Sequence, residues 1–209
     1  MPDFVTSLTA DFTLTGDLSV DAPAFLRHHG LAGIADHVER VAAQAGQIAD
    51  RVGVDRAAAL TAAWLHDISL VLPAVEMLSA AESAGLELLP AERQAPGMLH
   101  GKLSAIFAQQ FFAVTDPQVL AAMRCHTTLR AGATLLDRVL FAADKLSWDP
   151  EHAPYRHEMA AALDESLNRA VWCFLDWGWQ RRGQMAVIHP WFRAAYVEMA
   201  RQFAPVRRD

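Results

Sequence analysis

The chain has only two cysteines, Cys125 and Cys173, among its 209 residues. That number excludes a disulfide framework and points to a reducing, cytoplasmic setting. Basic charge is not in excess: 18 Lys and Arg face 24 Asp and Glu, for a formal charge of −6. No basic stripe of the kind carried by nucleic-acid binders is present, so nucleic acid is not an expected partner. No uncharged apolar run approaches the roughly 18 residues needed to span a bilayer, so a membrane partner is not expected either. The opening residues, MPDFVTSLTADF, carry acids where a secretory leader would carry Lys or Arg. Internal repeats, low-complexity tracts and interdomain linkers are also lacking. What is present is material for a core: 53% of residues are apolar and 20% charged. This is too apolar for a disordered chain and long enough for a core that needs no cross-links.

Residues 1–22 have little periodicity and are rich in Thr, Ser and Asp, which predicts an extended arm ahead of a helical domain over 23–209. From Ala22 onward the pattern is helical. Ile34, Val38, Val41, Ala45, Ile48 and Val52 recur at steps of three and four, with Gly53 as the stop. A second helix begins near Asp55, and a shorter one starts close to Pro73. The stretch 85–98, with Pro90 and Pro96, is the longest irregular segment and is placed to cover a site. Helices then follow over about 98–112, from Asp116-Pro117 to His126, and over 134–144. Trp148–Tyr155 is predicted as a loop, 157–179 as one long helix, and Pro190 to about Phe203 as the last. The expectation is an all-α bundle of roughly eight helices.

Chemistry is concentrated at the helix ends and inward faces. His37 lies on the stripe Ile34–His37–Val41, pointing toward the core. His66-Asp67 closes an Ala/Leu/Trp-rich helix, where a charge needs a partner or a metal. His100 opens one helix and His126 closes another. Asp144 extends the apolar row Leu136–Leu140, which places a carboxylate on a buried face. Any one of these reads most simply as a satisfied core or capping residue. Together they bring four imidazoles and two carboxylates toward one interior, which suits Fe, Mn, Zn, Co or Ni and not a thiolate zinc site. That number is about what two adjacent ions with a shared carboxylate need, and paired ions commonly serve phosphoryl displacement. Lys102, Arg130 and Lys145 lie within a few residues of these positions and are candidate phosphate contacts. Trp148, Trp177, Trp179 and Trp191 are candidates for a base-stacking wall. His189 reads as a helix-entry residue, Cys125 as a small core side chain, and His28, His29, His152 and His157 as surface or loop residues.

His37, then His66-Asp67, then Asp144 resembles the H…HD…D pattern of the HD-domain phosphohydrolases, an all-helical metal-dependent superfamily. The sequence is more specifically similar to its YqeK-like branch, which includes symmetrical diadenosine tetraphosphate hydrolases. The resembling segments are LLPAER–MLHG (88–101), RCHTTLR with Gly132, and the helix LLDRVLFAAD ending at Asp144. The likeness covers about Phe25 to Trp148 strongly and the C-terminal third more loosely. It implies that His37, His66, Asp67 and Asp144 hold a first divalent ion. His100 and His126 would hold a second, with Asp67 bridging and iron the first choice of metal over Mn, Co, Ni or Zn. It further implies catalysis through Asp67, His66 and Arg130 on a small phosphorylated substrate, a nucleotide first among them; a homodimer is left open.

The departures lie where a nucleotide would be contacted. The branch usually has Lys where this chain has Leu70, Glu where it has Ser147, Arg where it has Pro150, and Gly where it has Leu129. These changes leave the ligand set intact. They keep a nucleotidase or nucleoside triphosphate hydrolase open as an alternative, along with a ligand sensor that has lost turnover.

Overall fold

The computed structural model describes residues 2–149 and 151–203. Twelve α-helices and three short 3₁₀ turns make up the regular structure of the described residues, with no strand among them. The class is all-α as expected, with more helices than the rough eight.

Three differences account for the larger number. The first 22 residues are not extended: α1 (Asp3–Thr9) and the start of α2 (Leu18–His28) lie there. Val5 is fully buried, Phe4 meets Phe107 edge-on at 5.7 Å, and Phe12 meets Phe25 at 5.2 Å. Sparse apolar residues therefore suffice to dock this segment, because aromatic edges supply large contact area. The irregular stretch contains α6 (Pro90–Gln94) and a 3₁₀ turn over Pro96–Leu99. The long helix expected over 157–179 is two, α10 (Arg156–Glu165) and α11 (Leu167–Gln180). Ser166 between them is extended, and its hydroxyl accepts the Arg169 N–H at 3.2 Å, so it ends one helix while capping the next.

The helices that carry chemistry form the middle of the bundle. α3 (Ala32–Val52) packs on α4 (Arg56–Leu65) and on α9 (Leu135–Leu146), and α8 (Pro117–Cys125) lies against α4 and α9. α7 (His100–Gln110) packs on α8, while α5 (Met77–Ser83) and α6 lie over the approach to α7. α11 backs α9, and α12 (Pro190–Phe203) closes on α11. Gly53 ends α3 with φ 73°, the left-handed stop that its position suggests. Asp116 and Thr134 cap α8 and α9 through their side chains, fixing where His126 and Asp144 fall. The buried apolar residues run continuously from Val5 on α1 to Met199 on α12. No helix of the described residues is long and apolar enough to cross a membrane.

Candidate metal centre

Each of the six expected ligands is delivered by a different local device. The α3 stripe turns His37 inward, leaving it 1% exposed. α4 ends at His66, and the following 3₁₀ turn (Ile68–Val71) bends the chain so that Asp67 points the same way. His100 starts α7, His126 ends α8, and Asp144 sits on the buried face of α9. All but His100 are buried, and His100 is only partly exposed.

Asp67 is the pivot. Its Oδ2 lies 3.4 Å from His66 Nε2 and 4.0 Å from His37 Nε2. Its Oδ1 lies 3.4 Å from both His100 Nε2 and His126 Nε2. Asp144 Oδ1 completes the first side, 3.0 Å from His37 Nε2 and 3.8 Å from His66 Nε2. The tautomers follow from the backbone. His66, His100 and His126 donate Nδ1–H to the carbonyls of Ala63, Gly97 and Met123 at 2.8, 2.6 and 2.8 Å. A carbonyl only accepts, so each Nδ1 carries a proton and Nε2 is the nitrogen left facing the interior, able to take a metal once it carries no proton of its own.

These inward nitrogens need either protons or a metal cation between them. His100 Nε2 and His126 Nε2 face each other at 3.1 Å, and the Thr127 hydroxyl, 3.0 and 3.2 Å away, has one proton to give between them. His66 Nε2 and Asp67 Oδ1 are buried with no hydrogen-bond partner. Orphans of this kind are rare unless an ion fills the space. Three groupings, His37–His66–Asp67, His66–His126–Asp144 and Asp67–His100–His126, bring ligand atoms close enough to share an ion. The residues fit divalent metal, and the nitrogen and oxygen donors fit the borderline transition metals. Burial alone would raise the Asp67 carboxyl, but His66, His126 and His100 outweigh it and hold it well below the usual carboxylate range. Burial likewise opposes ionisation of Asp144, but Lys145 and His37 overcome it.

The expected phosphate contacts are each tied to an acid. Lys102 is buried and donates to Glu92 and to the Glu87 carbonyl at 2.8 and 2.9 Å. Arg130 donates to Asp137 from Nε and an η-nitrogen at 3.0 and 2.8 Å, with 37% of its side chain exposed. Lys145 donates to Asp144 Oδ2 at 2.6 Å. Of the four candidate wall tryptophans, Trp148 lies against candidate ligand His37 with ring centroids 4.4 Å apart and planes tilted by 31°, and remains 36% exposed. Trp177 packs on Tyr155, Trp179 on Tyr196, and Trp191 beside Lys102 and His189.

Several supports were not visible in the sequence. Ser69 donates to the His100 carbonyl at 2.7 Å and pairs with Ser104 at 3.0 Å, joining the Asp67 turn to α7. Gly101 permits the close crossing of α7 and α8: a Cβ there would lie 2.7 Å from the Met123 carbonyl and 3.2 Å from His126 Nδ1. His189 is buried and meets Glu92 at 3.3 Å, while its Nδ1 accepts the Trp191 N–H, so it does serve helix entry. Leu129, where the branch carries Gly, has φ 57°, left-handed backbone that leucine adopts only under strain. Leu70 is half-buried against the core, Ser147 accepts from Arg40 through its carbonyl, and Pro150 lies outside the described residues.

The HD domain family model matches residues 34–149, which carry all six candidate ligands. The chain belongs to the HD domain family. Among its relatives, an uncharacterized protein in the pepC 5′ region of Lactococcus lactis subsp. cremoris is 36% identical over 152 residues, covering 72% of this chain and 77% of that protein. The symmetrical bis(5′-nucleosyl)-tetraphosphatase of Bacillus subtilis (strain 168) is 33% identical over 138 residues, or 65% of this chain and 72% of that protein. A predicted HD superfamily hydrolase involved in NAD metabolism, from Clostridium acetobutylicum, has the same fold with a TM-score of 0.79. The match covers 86% of this chain and 95% of that one at 23% identity. This HD protein is therefore a hydrolase of the superfamily, on its YqeK-like branch.

Proposed function

We propose that this HD hydrolase holds two divalent transition-metal ions, iron first and Mn, Co, Ni or Zn as alternatives, and hydrolyses a phosphoanhydride in a nucleotide. The specific reaction proposed is symmetrical cleavage of a dinucleoside tetraphosphate, as the Bacillus relative's name describes. One observation carries the reading: the two oxygens of Asp67 face two different histidine pairs at 3.4–4.0 Å. A single ion needs no such division.

His37, His66 and Asp144 would complete the first ion's ligands with Asp67, and His100 and His126 the second's. Two bound cations supply Lewis acidity toward phosphoryl oxygens and an acidified water. The chain's own residues set the geometry. The three Nδ1–H bonds to carbonyls hold the rings of His66, His100 and His126 in one orientation. Asp67 fixes the separation of the two halves and shares its negative charge between them. Thr127, half-buried beside His100, offers its hydroxyl to a substrate oxygen. Arg130, the most exposed of the three nearby bases, binds a phosphate oxygen with the N–H groups that Asp137 leaves over. Water adds to phosphorus, the central P–O bond breaks, and a proton reaches the departing oxygen, giving two nucleoside diphosphates. Both cysteines are free thiols, in keeping with a cytoplasmic enzyme.

Lys102 and Lys145 are held by carboxylates, and Leu70 stands where the branch has a base, which favours a smaller nucleotide as the second reading. Product analysis separates the two. Metal-loaded protein given diadenosine tetraphosphate is expected to yield ADP as sole product. Phosphate release from a mononucleotide or triphosphate, with the tetraphosphate untouched, overturns the symmetrical reaction. Tight metal binding with no turnover across a broad phosphoester panel overturns the hydrolase role in favour of a sensor.

A further inference from the structure

We infer that Lys145 is a positioning residue for the first ion site, and that α11, beyond the matched HD segment, holds it in place. The inference rests on the two-ion reading above.

Neighbouring residues of a helix diverge by about 100°, so a lysine directly after an inward aspartate ordinarily swings away from it. Lys145 instead is 7% exposed, and its Nζ turns back to donate to Asp144 Oδ2 at 2.6 Å. The other oxygen of that carboxylate, Oδ1, faces His37 at 3.0 Å and His66 at 3.8 Å. One oxygen is thus turned toward the cluster and the other is gripped from behind. The ammonium also lies 5.3 Å from the centroid of Phe141 and 5.5 Å from that of Phe174. Phe174 is a residue of α11, and is itself braced edge-on by Phe141 at 5.3 Å and Tyr155 at 4.7 Å. Aromatic faces replace water around the charge, and the carboxylate accepts a hydrogen bond from it. A buried ammonium without its partner is costly, so this cage is consistent only while Asp144 keeps Oδ2 turned to Lys145. The rotation of Asp144, and with it the approach of Oδ1 to the first ion, is therefore set from α11. The C-terminal third acquires a role that the HD motif itself does not explain. Outer partners of this kind typically govern metal affinity by about 10- to 100-fold.

The test is calorimetric titration of metal-stripped full-length protein with Mn²⁺ and Co²⁺, with Co²⁺ absorption read in parallel. Lys145→Met keeps the apolar stem and removes the donor. It is expected to weaken one ion by about 10- to 100-fold, to leave the other unchanged, and to alter the Co²⁺ spectrum of the weakened site. Phe174→Leu opens the cage without touching the hydrogen bond, and a smaller loss at the same ion is expected, so the idea stays testable should Lys145→Met not fold. Trp172→Leu, which loses its stacking on Tyr196 from another side of α11, is expected to lower the melting temperature and leave both affinities alone. Wild-type affinity for both ions in Lys145→Met and Phe174→Leu, or an equal loss in Trp172→Leu, overturns the inference while leaving the two-ion reading intact. Wild-type protein that binds no ion overturns both.

Discussion

Gly101→Ala adds one methyl group at a place where two magnitudes compete. Alanine in a helix interior gains about 0.5–1 kcal/mol over glycine through backbone entropy, and less at Gly101, the second residue of α7. Against that, the new Cβ would stand 2.7 Å from the Met123 carbonyl oxygen, whereas ordinary contact begins at about 3.4 Å. Helix α7 must therefore withdraw from α8 by about 0.7 Å, the difference of those two distances. Overpacking of this kind costs about 1–3 kcal/mol, so the crowding wins and a net loss of about 1–2 kcal/mol is expected. For a chain of this size that lowers the melting temperature by about 2–8 °C. The functional effect is larger. His100 and His126 sit on the two sides of that crossing with their Nε2 atoms 3.1 Å apart. Metal–ligand distances hold to within about 0.2 Å, so the shift exceeds what the second ion tolerates. Its affinity is expected to fall more than about tenfold, while the first ion stays. The control is Gly33→Ala, also within a helix, where nothing lies within 4 Å of the added carbon and a small gain in stability is expected. Thermal melts with parallel metal titrations decide the matter. A Gly101→Ala protein that melts with the wild type and holds both ions unchanged refutes the argument.

Asp67→Ala is expected to abolish binding of both ions, whereas His100→Ala removes or weakens only the second; elemental analysis of the purified variants distinguishes these outcomes, and loss of one ion alone in Asp67→Ala contradicts the bridging role. Chelation is expected to remove RT ln(1 + [L]/Kd) of stability from metal-loaded protein and so lower its melting temperature, and re-addition to restore it, which scanning calorimetry measures. Burial alone would raise the Glu92 carboxyl, but hydrogen bonds from His189, the Leu89 N–H and Lys102 hold it down at about 2. Its folded pKa is depressed from 4.5, so the stability it contributes is present above pH 4.5 and lost as pH falls toward 2. Denaturant melts of Glu92→Gln and wild type at pH 6 and pH 3 should therefore differ more at the higher pH, and a constant difference refutes this account.

What the sequence showed of the centre depended on local periodicity. The α3 stripe and Gly53 fixed His37 on the inner face, and the row Leu136–Leu140–Asp144 did the same for α9. The cap Asp116 is equally local, so the start of the helix leading to His126 was legible, whereas Thr134 was read only as part of a helix over 134–144 and proves to cap it. Ser166 was not, because a good N-cap inside an apolar-periodic run reads as an ordinary helical residue until its hydroxyl is seen accepting the Arg169 N–H. The supports of the site were hidden for a different reason. Ser69 and His100 are separated by 31 residues, and Glu92 and His189 by 97, so no period connects them. Gly101 reads as an ordinary helix glycine unless the Met123 carbonyl is known to lie across from it. Leu129 shows the converse. The branch's glycine there answers to a left-handed turn, and the fully packed leucine side chain offsets a strain that residue identity alone conceals.

The placement of the bases bears on how an acidic chain would handle the proposed polyanionic substrate. Lys102, Arg130 and Lys145 each meet a carboxylate, Glu92, Asp137 and Asp144, at 2.6–2.8 Å. A base so paired presents little net charge to a phosphate, since the partner acid sits as close as the ligand would. Their work is largely internal: Lys102 ties the segment over α6 to the helix of His100, Arg130 pins the turn after His126 to the cap of α9, and Lys145 grips Asp144. On the proposed two-ion reading, attraction for phosphate would come chiefly from the ions, whose four positive charges would meet only Asp67 and Asp144 among the six candidate ligands. Recognition built this way is strong for the phosphate under attack and weak for phosphates farther along. On that reading, the chain length of the substrate would be decided by shape around the centre, at Trp148 and Thr127, more than by a line of lysines. The loss of a branch base at Leu70 fits that division, because a site whose ions supply the charge can exchange an outer lysine for core packing and still bind the reacting group.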